Sequence, residues 1–281
     1  MTVLELLQST SDYLARKGVD QPRLNIEHLL ADSLGKKRIE LYLEFDRRLT
    51  ETELAPLREK VRRRAAGEPL QHLLGSWDFC GRKFKVDRRA LIPRPETELL
   101  VDVVLSHLKA ASQEGMRLID VGTGCGILAI TFALEISGLE VVAVDLSSDA
   151  LALARENAAS FGLESRIAFV QSNLLDQTDG VFRWVVANLP YIPTAALDSL
   201  QREVKHDPRL ALDGGRDGLD VIRNLVTSLQ TRLAPPALIV LEVGADQAEP
   251  VRELLARQNY RDISMTKDYQ GVQRVVSAKY G

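Results

Sequence analysis

DVGTGCGI, residues 120–127, joins the apolar run RLIDV to the run GILAITFAL, and its reading decides the fold. A strand that hands over to a helix through glycines lets the backbone approach a ligand at the helix N-terminus. Gly122, Gly124 and Gly126 give G-x-G-x-G, whereas a dinucleotide fingerprint requires G-x-G-x-x-G, and Ile127 stands in the place of its third glycine. Nicotinamide or flavin binding is thereby demoted. The next strand, EVVAVD, ends in Asp145, 23 positions after Gly122. A carboxylate there can accept the hydroxyl protons of a ribose. Asp145 alone would equally suit a strand-end turn, with Ser147 or Ser148 capping the following helix. Placed together, the glycine loop and the acid point to a nucleoside ligand.

Working outward, strands alternate with helices from Arg117 onward. RLIDV, EVVAVD, IAFVQ, WVVAN and ALIVLEV read as strands. GILAITFAL, SSDALALARENAASFG, Gly218 to Leu233 and Gln247 to Arg257 read as helices. Two final strands, Ile263 to Lys267 and Arg274 to Ala278, flank DYQGVQ as a hairpin. Near-continuous apolar strands predict an α/β fold with an open, mostly parallel sheet covered on both faces. Before it, IPRP must be extended, and Pro95 suits the first turn of a helix from about Glu96 to Ala111.

Residues 1–70 carry helical periodicity without strand signals. One helix runs from Val3 to Lys17, a second stops at Gly35, and a short third lies around Arg38 to Leu43. Thr50 with Glu53 forms a capping-box signature for a helix to about Gly67. SWDFCGRKFKVD then predicts a hairpin about Cys80-Gly81. The expected organisation is a helical domain over 1–70, a β-hairpin linker over 71–92 and an α/β domain over 93–281.

Composition narrows the function. At 281 residues with 45% hydrophobic and 27% charged side chains, the chain suits one large domain or two smaller ones. No apolar run approaches the roughly 20 residues of a membrane span. The N-terminus, MTVLELLQSTSDYLARKG, lacks a basic flank before an unbroken apolar stretch, so no secretory signal is read and a cytoplasmic location is expected. Two cysteines and four scattered histidines argue against a disulfide scaffold or a metal site. Residues 1–68 hold 13 basic and 12 acidic side chains, so the remainder carries −4, a poor charge for gripping a phosphate backbone. The run VRRRAAGE, residues 61–68, reads either as a solvated helix face or as a local nucleic-acid patch.

DVGTGCG followed by VVAVD resembles the S-adenosylmethionine site of the seven-stranded class I methyltransferases, a Rossmann-like fold. The resemblance places the methionine part of that cofactor against Gly122, Thr123, Gly124, Cys125 and Gly126. It puts the ribose on Asp145 beside Leu146, and adenine near Asn173 and Leu174 in VQSNLLD. IPRPETELLV, NLPYIP and DPRLALDGGRDGLDVIRNL extend the likeness to the bacterial glutamine methyltransferases that modify peptide chain release factors. That family implies a small N-terminal helical domain that recognises the substrate, a hairpin linker, and methyl transfer to the glutamine of a Gly-Gly-Gln motif. Release factors are then the partners, without membrane or nucleic acid, and the chain is expected to act as a monomer.

An amide nitrogen is a poor nucleophile because its lone pair is conjugated into the carbonyl, so the site must act by positioning. Asn188 offers an acceptor for an amide N–H and a donor for a carbonyl. The carbonyl of residue 189 can take the second N–H, and Tyr191 can lie flat against the amide. Asn188, Pro190 and Tyr191 are therefore the expected catalytic group, and Asn188 also borders the cofactor. Leu189 and Arg94 join Asn188, Pro190 and Tyr191 in substrate binding. The family pattern is Asn-Pro-Pro-Tyr, and Leu189 departs from it; Asn-Leu-Pro-Tyr also occurs in rRNA adenine dimethylases. An adenine amino-group methyltransferase acting on rRNA or DNA is the alternative, and a cofactor-binding regulatory protein a third. Arg94 and Glu98 either line the cleft or fix the linker. Phe79 either closes over the methionine moiety or packs, and Trp77 and Trp184 read as packing.

Overall fold

The structure is a computed structural model that describes residues 1–109 and 116–281. The chain divides into two compact units, one of Met1–Ser76 with Gln201–His206, the other of Trp77–Leu200 with Asp207–Gly281. Residues 201–206, which the sequence reading placed with the α/β domain, pack instead with the first unit.

The first unit is helical: α1 (Val3–Arg16), α2 (Pro22–Ser33), α3 (Arg38–Leu41), α4 (Glu51–Ala65) and α5 (Leu70–Leu74). Thr50 and Glu53 form the expected capping box, the Thr50 amide donating to Glu53 Oε2 at 2.9 Å. Leu7, Leu14, Ile26, Leu29 and Leu57 are buried between the helices. The arginine run of α4 is consumed locally. Arg62 pairs with Glu59 and Arg63 with Glu68. Arg64 is only 2% exposed, and its guanidinium donates to Asn25 Oδ1 at 2.6 Å, to the Glu68 carbonyl and to Glu203.

A hairpin follows, β1 (Ser76–Phe79) and β2 (Arg82–Lys85), and the second unit begins within it at Trp77. Its two-residue turn has positive φ at both Cys80 (47°) and Gly81 (70°), the geometry that matches strand twist. There follow α6 (Thr97–Leu108), β3 (Arg117–Val121), α7 (Ile127–Glu135), β4 (Glu140–Asp145), α8 (Ser148–Ser160), β5 (Ile167–Gln171) and β6 (Phe182–Ala187). The chain ends with α9 (Asp220–Leu229), β7 (Leu233–Glu242), α10 (Ala248–Arg257), β8 (Arg261–Lys267) and β9 (Gln273–Tyr280). The expected end of α6 at Ala111 lies outside the described residues.

Seven strands form one sheet in the order β5-β4-β3-β6-β7-β9-β8, all parallel except β9. Adjacent residues of each central strand face opposite cores. Leu118, Val141, Trp184 and Val240 pack under α6, α7 and α8, whereas Ile119, Val142, Val185 and Ile239 pack under α9 and α10. Burial on both faces is why these strands read as unbroken apolar runs. Strand order turns back between β3 and β6, and an open α/β sheet binds ligands at such a point, beyond the carboxyl ends of its strands.

Among the boundaries that differ from the sequence reading are those of α9, β7 and β6. The helix expected over Gly218–Leu233 stops at Leu229, because the Arg232 carbonyl accepts from the Phe182 amide and draws Leu233 into the sheet. The strand expected from Ala237 therefore starts at Leu233, with Pro235 and Pro236 in an irregular stretch where the pairing with β6 shifts register. WVVAN loses its last residue: β6 ends at Ala187 and Asn188 leaves the ladder.

Candidate active site

Loops from the carboxyl ends of β3, β4, β5 and β6 converge on a cavity of about 290 Å³. Its wall includes Gly122–Cys125 after β3, Asp145 and Leu146 after β4, Asn173 and Leu174 after β5, and Asn188–Pro190 after β6. Ala90, Pro93 and Arg94 bring the extended IPRP segment to the same cavity. Gly126 and Tyr191 are absent from that wall. Gly126 starts α7, and a Cβ on it would come within 3.1 Å of both Ala154 and Ile130, so its bareness lets α7 approach α8.

The glycine loop is held from two sides. Gly122 has φ of 75°, and a Cβ there would meet Leu189 Cδ2 at 3.0 Å. Leu189 is 4% exposed and so closes the loop from the β6 side. From the other side, the Asn157 amide donates to the Cys125 carbonyl at 2.8 Å and to the Lys85 carbonyl, while its Oδ1 accepts from the Lys85 amide. One buried asparagine on α8 thus ties the hairpin to the loop.

Asp145 accepts the Gly124 amide on Oδ2 and the Ser147 amide on Oδ1, both at 2.9 Å. Burial raises its pKa and those amides pull it back. Each oxygen keeps acceptor capacity toward the cavity. Deep behind the loop, Asp120 accepts from Thr123 Oγ1 at 2.6 Å and from the Ala129 amide, and burial pushes its pKa up to about 7. Burial also lifts the Cys125 thiol to about 12, which leaves no thiolate nucleophile at neutral pH.

On the β6 side, the Asn188 amide nitrogen donates to Thr97 Oγ1 at 3.1 Å. Glu242, at the end of β7, is 2% exposed and is engaged by the side chains of Thr97 and Asn188. Burial pushes its pKa up to about 7. Tyr191, outside the cavity wall, is near Glu242; burial, then that carboxyl, lift its phenol to about 12. Its carbonyl accepts from Gln247 Nε2 at 2.9 Å.

Arg94 lines the cavity and also pairs with Asp207, whose other oxygen accepts the Ile92 amide at 3.1 Å. Glu98 instead fixes the hairpin, accepting the Cys80 amide at 2.7 Å. Phe79 packs against Phe84 in the core, and Trp184 is buried in the sheet. The sequence reading passed over Thr97, Asn157, Asp207 and Glu242. Only Glu242 left a signal, an acid ending the otherwise apolar run ALIVLE.

A seven-stranded sheet with a glycine loop after β3 and an acid after β4 defines the class I methyltransferase fold, and the comparisons agree. Residues 97–216 match the methyltransferase small domain, and residues 5–75 match the PrmC N-terminal domain. Fold likeness extends to a ribosomal protein methylase from Lactobacillus delbrueckii subsp. bulgaricus, with a TM-score of 0.50 and 22% identity over 69% of this chain and 84% of that one. The hMettl16 catalytic domain gives a TM-score of 0.58 at 13% identity, over 83% of each chain. Two much nearer relatives are both called release factor glutamine methyltransferase. That of Geobacter sulfurreducens is 40% identical over 100% of this chain and 97% of its own length. That of Chlorobaculum tepidum is 40% identical over 98% of this chain and 96% of its own. The chain belongs to the release factor glutamine methyltransferase family and is a methyltransferase.

Proposed function

We propose that this protein transfers a methyl group from S-adenosylmethionine to the side-chain amide nitrogen of the glutamine in the Gly-Gly-Gln motif of peptide chain release factors. The observation that carries the reading is that Asn188, Leu189 and Pro190 share one cavity with the glycine loop and Asp145. The residues suit the cofactor: Gly122 and Gly124 bring bare backbone to the cavity wall, and Asp145 keeps acceptor capacity for a diol. In this reading Gly122–Cys125 hold the methionine part, Asp145 and Leu146 the ribose, and Asn173 and Leu174 the adenine. The bound cofactor supplies an electrophilic methyl group on a sulfonium.

The chain's own residues then orient the acceptor. Asn188 Oδ1 and the carbonyl of residue 189 accept the two N–H groups of the glutamine amide, which favours the growth of positive charge on nitrogen. Held there, that nitrogen would take the methyl carbon of the cofactor, with the cofactor's sulfur as the leaving group that keeps the electron pair. The extra proton leaves nitrogen for solvent, so no general base is needed. Leu189 and Pro190 keep water from the amide, Tyr191 supports the loop from behind, and Arg94 stands at the substrate side of the wall.

The helical unit serves partner recognition, and the protein works as a monomer in the cytoplasm where release factors act. Among the described residues no helix is long and apolar enough to cross a membrane. The paired arginines of α4 favour a protein partner over nucleic acid, since Arg62, Arg63 and Arg64 already face carboxylates. Labelled cofactor should methylate purified release factor on that glutamine. Transfer to rRNA or DNA instead, strongly reduced by moderate salt, would replace this reading with an adenine methyltransferase.

A further inference from the structure

Asparagine can present either its oxygen or its nitrogen to a ligand, and only one orientation can grip an N–H. Asn188 turns its nitrogen inward, to Thr97 Oγ1 at 3.1 Å, and leaves Oδ1 free of any protein donor among the described residues. Behind that pair lies Glu242, whose carboxyl feels the side chains of both Thr97 and Asn188, and whose buried Oε2 has no hydrogen-bond partner. Thr97 is 1% exposed and Glu242 2%, so water does not compete for these contacts.

We propose that Glu242, acting with Thr97, is the positioning residue that sets the orientation of the Asn188 amide and so makes the site an acceptor of substrate N–H groups. The inference rests on the reading that Asn188 grips the acceptor amide. A carboxylate is acceptor-only, so each neighbour that touches it must donate. In the proposed arrangement Thr97 directs its single proton toward the Glu242 carboxylate and takes the proton of Asn188, which leaves the asparagine nitrogen no reason to face the cavity. A protonated Glu242 becomes a donor and the direction can reverse: Thr97 then donates to Asn188 Oδ1, and the amide nitrogen faces the substrate's own N–H groups. The buried negative charge also polarises the Asn188 amide, strengthening Oδ1 as an acceptor while nitrogen gains positive charge. Other groups that face Glu242 are Glu96, which opposes its ionisation, Arg274, which favours it, and the Tyr191 phenol, neutral at these pH values.

The test compares full-length wild type with Glu242→Gln, Thr97→Val and Thr97→Ser on release factor, together with binding of S-adenosylhomocysteine. Glutamine keeps the volume of Glu242 but can donate as well as accept. It should lower kcat by about tenfold or more, with cofactor-product affinity within about twofold of wild type. Wild-type kcat should rise with pH through the neutral range, and Glu242→Gln should flatten that limb. Thr97→Ser should restore what Thr97→Val loses. Wild-type kcat and pH profile in Glu242→Gln, or a serine variant as poor as the valine one, would overturn the proposal. A second readout needs no methyl acceptor. In 15N-asparagine-labelled protein with S-adenosylhomocysteine, the Asn188 side-chain amide pair, assigned by its loss in Asn188→Ala, should shift with pH in wild type and not in Glu242→Gln. An Asn188 pair indifferent to pH and to Glu242→Gln would also overturn it. Wild type inactive on every release factor would sink the functional reading alone, because the amide signals still decide the orientation.

Discussion

Asn188 sits one residue beyond the last ladder pair of β6, where its backbone is free of the sheet and its side chain is caught between the cavity and Thr97. Replacing it with alanine should leave S-adenosylhomocysteine affinity nearly intact while cutting turnover by about 10²-fold or more, the scale of one preorganised polar contact. Calorimetric binding beside single-turnover methyl transfer checks this, and equal loss of both would make the loop structural. Two buried carboxyls set a pH dependence of stability. Asp120 and Glu242, with ordinary values of 3.8 and 4.5, both titrate near 7 in the folded chain. The folded state therefore binds protons more tightly than the unfolded one. The stability this contributes is complete below the ordinary carboxylate range and is lost as pH rises through about 7. Thermal unfolding followed from pH 4 to pH 8 should show that fall, and Asp120→Asn or Glu242→Gln should each make it shallower. A profile unchanged in both variants would refute the assignment.

At the scale of elements, the glycine loop is shaped by pieces that lie far from it in sequence. α8 sends Asn157 into the gap between β2 and the loop, where its amide satisfies two carbonyls and one N–H. Asn157→Leu keeps much of the volume and orphans all three backbone groups. A loss of about 1–3 kcal/mol is expected for each buried group left unpaired, partly offset by relaxation. Denaturant unfolding measures the loss, and S-adenosylhomocysteine affinity should fall with it because Cys125 is one of the orphaned carbonyls. Leu189 holds the loop from the other side by packing alone. That role asks for a buried apolar side chain on the β6 loop, which explains how leucine can stand where the family pattern has proline.

On the scale of the whole chain, one side chain again ties distant segments together. Arg64 is buried in the helical unit, where it bonds Asn25 on α2 and pairs with Glu203, 139 residues further along. Arg64→Met leaves Glu203 unpaired and strands Asn25. Breaking a buried ion pair on one side costs about 3–5 kcal/mol, less here because Glu203 is 39% exposed. Differential scanning calorimetry should show lower stability with S-adenosylhomocysteine affinity within about twofold of wild type. Unchanged unfolding would mean that residues 201–206 hold to the helical unit without this pair.

Local periodicity and turn chemistry were enough to read the alternating strands and helices, the hairpin turn at Cys80-Gly81, the capping box at Thr50 and the sheet buried on both faces. Each of these depends on residues within a few positions of one another. DVGTGCG, Asp145 and NLPY were equally visible, because each follows its strand directly and carries side chains or glycines that a plain turn does not need. The early end of α9, the entry of Leu233 into the sheet and the capture of residues 201–206 by the helical unit could not be read locally, since pairing and packing with distant segments override propensity there. The same holds for the site. Sequence pointed to which residue offers a hydrogen bond to the acceptor amide, Asn188. Which way that amide turns was decided only in three dimensions, where Thr97 and Glu242 are buried beside Asn188 and the Asn188 nitrogen donates to Thr97 Oγ1.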